Sequence, residues 1–167
     1  MWLQNITTNS LTDMKKQSAG ILLYKLVRNE LQVLLVHPGG PFWSKKDEGA
    51  WTIPKGEFDD GEEPLSAAIR EFKEETGVSL EGEFLLLSPV KQKSGKLIHA
   101  WALQGDMDPT KINSNTFDIE WPPRSGKTKS FPEVDKAEWF SAKNAMSKIN
   151  PAQVSLITEL ADKYFKK

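Results

Sequence analysis

The stretch that decides the fold is GEFDDGEEPLSAAIREFKEETGV, residues 56–78. Within it, apolar residues recur at steps of three and four from residue 63 to residue 76, which predicts an amphipathic helix. Pro64 suits the first turn of this helix, and Gly77 suits the left-handed position just after its end. The apolar stripe consists of Leu65, Ala68, Ile69, Phe72 and Thr76.

The end of the predicted helix carries three carboxylates, on Glu71, Glu74 and Glu75. Their spacing makes them neighbours on the helix surface, where like charges repel. The negative end of the helix dipole makes their position more unfavourable still. A solvated acidic face is one interpretation. A bound divalent cation is the other, because Mg²⁺ prefers oxygen ligands and would remove both penalties.

Composition limits the class of protein. A length of 167 residues suits one domain, and a formal net charge of −1 does not indicate a surface for nucleic acid or membrane. The absence of cysteine excludes disulfides and thiolate metal sites. No apolar run approaches the roughly 20 residues of a membrane span. We therefore expect a cytoplasmic protein.

The order of predicted elements indicates an α/β protein with a mixed sheet and helices packed over it. The predicted strands cover residues 18–27, 31–37, 51–53, 84–90, 97–104, 116–121 and 137–140, and most of 105–132 is predicted to be loop. Two more helices are predicted over 141–148 and 151–165. Residues 1–16 are predicted to form a flexible or loosely packed arm, and residues 17–167 to form the domain.

Residues 56–78 also resemble the Nudix box, G-x5-E-x7-R-E-U-x-E-E-x-G-U, where U is a bulky apolar residue, and every specified position is filled. The resemblance implies a Nudix α/β/α sandwich and Mg²⁺- or Mn²⁺-dependent hydrolysis of a diphosphate linked to another group. It implies as metal ligands Glu71, Glu74, Glu75 and the main-chain carbonyl of Lys55. It also implies that Arg70 and Glu74 serve catalysis, Arg70 by orienting the carboxylates. Gly56, Glu62 and Gly77 are expected to support the site.

The general base is expected outside the box. Many family members supply a further carboxylate ahead of a tryptophan-containing strand, and here FPEVDKAEWF, residues 131–140, offers Glu133. We predict Glu133 as the general base or a further metal ligand, with a solvated loop glutamate as the alternative. Asp135 and Glu138 are the other candidates.

The substrate is predicted from three weaker features. WTIPKGE, residues 51–57, resembles the entry to the box in branches that cleave dinucleoside polyphosphates and diphosphoinositol polyphosphates. The Lys55 ammonium is expected to reach a phosphate. Two loops combine an aromatic ring with a cation, as a site for a base and a phosphate would, and their candidate residues are Trp43, Lys45, Trp121 and Arg124. Packing of each tryptophan on its own protein is the alternative.

These features together predict a Mg²⁺-dependent hydrolase of a nucleoside diphosphate linked to another moiety, with a dinucleoside or nucleoside polyphosphate as substrate. The alternatives are a housecleaning NTP pyrophosphatase and a non-catalytic Nudix module that binds a nucleotide. A tyrosine often found downstream of the box in dinucleoside tetraphosphate hydrolases is missing, so the branch stays open. The two histidines, His37 and His99, are expected to be structural.

Overall fold

The computed structural model describes residues 17–165, so the predicted arm at residues 1–16 lies outside the described residues. Its strands are β1 Gln17–Val27, β2 Glu30–Pro38, β3 Lys55–Phe58, β4 Leu85–Leu86, β5 Val90–Lys91, β6 Leu97–Gln104, β7 Thr116–Glu120, β8 Thr128–Pro132 and β9 Val134–Ser141. Its α-helices are α1 Pro64–Thr76, α2 Ala142–Lys148 and α3 Val154–Phe165. No helix among residues 17–165 has the length and hydropathy needed to cross a membrane.

Strand β1 lies at the centre of a seven-stranded mixed sheet, whose main path runs β4-β6-β1-β2-β9. It pairs in parallel with β6 and antiparallel with β2 and β3. Gly20 of β1 lets β3 approach closely, because a Cβ there would lie 2.6 Å from the carbonyl oxygen of Pro54. The start of the box is thereby fixed to the central strand.

Apolar side chains fill both faces of this sheet, because its strands are buried on two sides. One core holds Ala67, Ala68 and Phe72 of α1, while the other holds Ala145 of α2 and Leu160 of α3. Helix α1 therefore covers one face and α2 and α3 cover the other. The predicted α/β/α sandwich with a mixed sheet is confirmed.

Several local predictions were wrong. Trp51 and Thr52 form only isolated bridges, in place of the strand predicted over 51–53, and the next strand begins at Lys55. Residues 84–90 give two short strands in place of one. The strand predicted over 116–121 is present as β7, but β8 lies in residues predicted as loop and pairs with β7 from Thr116↔Pro132 to Glu120↔Thr128. Strand β8 is short and polar, so its sequence lacks the alternation that marks a half-buried strand.

Candidate active site

The end of α1 is anchored by a segment that follows it much later in the chain. Gly77 has a φ of 82°, as the sequence predicts, and donates to the carbonyl of Lys73. The amide of Asn113 donates to the Thr76 carbonyl, and that of Asn115 donates to the Glu74 carbonyl at 2.8 Å. These bonds satisfy terminal carbonyls that a helix leaves unpaired.

Arg70 gathers three of the box glutamates. Its guanidinium makes a bidentate pair with Glu62, with both N–O distances at 2.8 Å, and this pairing lowers the pKa of Glu62. Nη1 donates to Glu71 at 2.8 Å and to Glu74 at 3.1 Å. The arginine thus orients two predicted ligands and ties them to the loop before the helix.

Glu71 lies in a recess formed by Gly56. Its side chain is buried, and a Cβ at Gly56 would lie 2.0 Å from its Oε2. Burial raises the pKa of Glu71, and the charge of Glu74 raises it further, although Arg70 opposes both effects. Glycine at residue 56 is therefore required by space, since any side chain would displace this carboxylate.

Glu75 is the most strongly perturbed acid of the site. Burial raises its pKa to about 8, while the Lys55 ammonium acts in the opposite direction. The Lys55 amide donates to Glu75 Oε1 at 3.3 Å, so the main chain of Lys55 lies beside the carboxylate. Burial lowers the pKa of the Lys55 ammonium itself. Lys55 and Glu75 form a partly desolvated pair at the edge of β3.

The structure brings Glu133 to this cluster. Its amide donates to the carbonyl of Asn115 at 2.8 Å, and Asn115 is the residue whose amide binds Glu74. Burial and the charge of Glu74 raise the pKa of Glu133. Beyond the effect of burial, Glu133 also contributes to the raised pKa values of Glu71 and Glu75. Four carboxylates therefore interact at one place.

The residues of this cluster fit a hard divalent cation in chemistry, because they offer carboxylate oxygens around a recess that only glycine leaves open. Across residues 17–165, no three His, Asp or Glu side chains already converge as a set of ligands. Glu71 and Glu74 are bound to Arg70, and Glu75 is bound to Lys55. The cluster therefore holds the predicted ligands side by side but on different partners.

The other two candidates for the base lie elsewhere. Asp135 accepts from the ring of His37, with 2.9 Å between Oδ1 and Nδ1. Glu138 is exposed on β9, where it pairs with Leu35 of β2. Of the three acids on this segment, Glu133 is the one that acts on the helix carboxylates.

The two aromatic loops predicted for the substrate meet through a residue that the sequence did not single out. Phe42 packs edge-on against Trp121, with ring centroids 5.6 Å apart. Trp43 follows Phe42 in the sequence and is 37% exposed. The Lys46 ammonium lies 4.9 Å from the centroid of its ring. Lys45 and Arg124 are both exposed.

Close backbone contacts attach the start of the loop that carries Phe42 to the segment that carries Glu133. The amide of Gly39 donates to the Glu133 carbonyl at 2.9 Å, and a Cβ at Gly39 would lie 2.0 Å from the Pro132 carbonyl oxygen. Gly40, with a φ of 95°, leaves room for the ring of Phe117 on β7. Sequence reasoning missed these glycines, along with Asn115 and Phe42. The signal available was the Pro-Gly-Gly run before the loop.

Comparison with known proteins agrees with this geometry. The model of the NUDIX domain matches residues 16–160. The chain belongs to the Nudix family. Residues 56–78 are therefore a true Nudix box. The ion pairs of Arg70 and the recess at Gly56 both lie within it.

Curated Nudix relatives match mainly around the box. The asymmetrical bis(5'-nucleosyl)-tetraphosphatase of Caenorhabditis elegans is 35% identical over 65 residues, which are 39% of this chain and 43% of that protein. The RNA pyrophosphohydrolase of Novosphingobium aromaticivorans is 58% identical over 36 residues, 22% of each chain. The aligned parts thus cover less than half of either relative.

Solved structures match over most of the fold. A binary complex of a C. elegans Ap4A hydrolase has a TM-score of 0.62 at 22% identity, covering 88% of this chain and 97% of that one. The NUDIX domain of Shewanella oneidensis NrtR, solved with ADP ribose, has a TM-score of 0.60 at 16% identity, covering 89% and 88%. At these identities the likeness establishes the fold.

Gly56→Ala is expected to weaken binding of Mn²⁺ by roughly 10- to 100-fold, because the added methyl group displaces the Glu71 carboxylate. Titration calorimetry measures the affinity directly. Gly61→Ala is the matched control, since a Cβ at that glycine meets nothing within 4 Å. Equal affinities for the two variants would show that the recess does not position a ligand.

Proposed function

We propose that this chain is a divalent-metal-dependent hydrolase of nucleoside polyphosphates, with a dinucleoside polyphosphate as the preferred substrate. The observation that carries the proposal is the cluster of Glu71, Glu74, Glu75 and Glu133. Burial raises the pKa of three of these acids, and each is further opposed by a neighbouring carboxylate. Such a cluster is unfavourable without a cation and is suited to hold one.

The roles of the residues follow from their contacts. A bound divalent cation supplies charge neutralisation for phosphate oxygens and lowers the pKa of water. Arg70 keeps Glu71 and Glu74 oriented through bonds to both. Glu133, with its raised pKa, accepts the proton of the water that attacks phosphorus. The Lys55 ammonium, beside Glu75, pairs with a phosphate of the substrate.

The position of the loop at residues 39–46, called the substrate loop below, favours a long substrate that has a group to bind at each end. Thr116 of β7 follows Asn115, which is bonded to Glu74, and Trp121 lies five residues further along the strand direction. At about 3.4 Å per residue, Trp121 therefore lies up to roughly 17 Å along the chain from Thr116. A substrate whose base stacks on the Phe42–Trp121 ring pair while its phosphate lies at the carboxylates has to be an extended molecule.

A panel of nucleotides with Mg²⁺ or Mn²⁺ tests the proposal, with the products identified by chromatography. Dinucleoside polyphosphates are expected to have the highest kcat/KM. Preferred cleavage of nucleoside triphosphates to monophosphate and pyrophosphate would replace this substrate with the pyrophosphatase alternative. Binding without any hydrolysis would leave a non-catalytic module.

Trp121→Ala is expected to raise KM for a dinucleoside polyphosphate by roughly 5- to 100-fold with little change in kcat, because stacking on an aromatic ring is worth about 1–3 kcal/mol per base. Steady-state kinetics provide the measurement. Trp121→Phe keeps a ring against Phe42 and should recover most of the loss. An unchanged KM in the alanine variant would remove this corner from the substrate site.

A further inference from the structure

His37 ties the substrate loop to β9 from the end of β2. Its side chain is 1% exposed, and Nδ1 lies 2.9 Å from Asp135 Oδ1. Nε2 lies 2.6 Å from the main-chain carbonyl oxygen of Lys46, the last residue of the loop. The ring also packs edge-on against Trp51, with 5.2 Å between centroids. The imidazole is thus held on both nitrogens inside the protein.

Both of these partners accept hydrogen bonds and neither donates. A carbonyl oxygen and an ionised carboxylate have no proton to offer. The imidazole of His37 therefore lies between two acceptors, and its ring bridges Asp135 of β9 and the main chain of Lys46.

The bond to Lys46 determines where Trp43 lies. The Lys46 amide donates to the Trp43 carbonyl at 3.0 Å, and its ammonium lies over the Trp43 ring. At the other end of the loop, Gly39 donates to the carbonyl of Glu133. The loop is therefore attached at both ends, and His37 provides the attachment at its far end.

The other charged groups near the ring lie behind Trp51. The Lys136 ammonium, on β9, is 5.3 Å from the centroid of the Trp51 ring. Asp47 accepts from Trp51 Nε1 at 2.8 Å and pairs with Lys148. Asp135 is the charged side chain that touches the imidazole among these groups.

We propose that His37 is a positioning residue that fastens the substrate loop to β9, on the segment that carries Glu133. Loss of the imidazole releases the Lys46 end of the loop and weakens binding of the substrate without changing the carboxylate cluster. The effect on substrate binding rests on the function proposed above. The effect on the loop itself does not.

The split between KM and kcat in the intact protein tests this proposal. At saturating Mg²⁺, a variant that lacks the imidazole should have a raised KM for a dinucleoside polyphosphate and a kcat close to that of the wild type. A lowered kcat with an unchanged KM would overturn the proposal.

Asp135→Asn separates positioning from catalysis. The amide can donate to Nδ1 of the ring while Nε2 still donates to Lys46, so the loop stays attached. KM should then stay close to that of the wild type. Loss of turnover would instead make Asp135 the general base and overturn the proposal.

His37→Gln is expected to raise KM by up to about tenfold, since the hydrogen bond of the imidazole to the Lys46 carbonyl is lost. Hydrogen exchange at residues 42–46 should speed up in the same variant. His99→Gln is the matched control, because His99 binds Gln17 on β1, away from the loop. If the two variants behave alike, His37 does not position the loop.

The exchange data distinguish this proposal from the function on which it depends. Faster exchange in His37→Gln with no hydrolysis of any nucleotide would reject the function and keep the attachment of the loop. Hydrolysis with exchange and KM indifferent to His37 would reject the positioning role and keep the function.

Discussion

Replacing Glu75 by glutamine is expected to lower kcat by roughly 100- to 1,000-fold with the fold intact. The substitution removes a negative charge from the carboxylate cluster, where it is needed to hold a cation against the substrate phosphates. The amide oxygen keeps the shape of the side chain and still accepts from the Lys55 amide. Turnover at saturating Mg²⁺ and circular dichroism give the comparison.

The same substitution is expected to stabilise the metal-free protein at alkaline pH. Burial raises the pKa of folded Glu75 to about 8, against about 4.3 in an unfolded chain. Between these values the folded state binds more protons, so its stability falls as the pH rises. Glutamine does not ionise, so Glu75→Gln removes this loss of stability at high pH. The Lys55 ammonium loses its partner, which offsets part of the gain.

In a chelating buffer at pH 8 we expect the glutamine variant to melt about 4–8 °C above the wild type, which corresponds to roughly 2 kcal/mol for a chain of this length. Near pH 4 the two proteins should melt together. Adding Mg²⁺ should stabilise the wild type more than the variant. Glu81→Gln, an exposed change outside the cluster, controls for the loss of one charge. Equal turnover in Glu75→Gln and Glu81→Gln would remove Glu75 from the metal site.

The helix and its end could be predicted from the sequence because they depend on neighbours along the chain. Pro64 begins the helix, Gly77 takes the left-handed conformation, and Phe72 is buried, all as the spacing indicates. The pair of Arg70 with Glu74 also follows from their spacing of four residues on one helix, and its pair with Glu71 agrees with the role that the resemblance implies for Arg70. The box is therefore readable from sequence alone.

The rest of the site depends on contacts between distant segments, which spacing does not report. The Phe42–Trp121 pair needs the β7–β8 hairpin, and β8 is too polar to be recognised as a strand. Asn115 connects Glu74 to Glu133 only through backbone bonds, so its identity carries no signal. His37 meets Asp135 because β2 and β9 are paired, with His37 opposite Lys136.

For Glu133, the effect on turnover has to be measured together with the effect on metal binding. If it is the general base, Glu133→Gln should lower kcat by about 100- to 10,000-fold, since that is the usual contribution of a positioned base. Binding of Mn²⁺ should change far less than in Glu75→Gln. Kinetics at saturating substrate, together with calorimetry of the metal, measure the two effects separately.

The pH profile makes this assignment sharper. A base acts only when deprotonated, so kcat of the wild type should fall as the pH drops through the pKa of Glu133, which burial and Glu74 raise. Glu133→Gln should remove this acidic limb from the residual activity. Glu138→Gln changes an exposed glutamate on β9, five residues further along the chain, and should keep both the limb and the turnover. If Glu138→Gln loses the limb and Glu133→Gln retains it, the proton passes to Glu138, and the Asn115 bridge serves only to close the end of the helix.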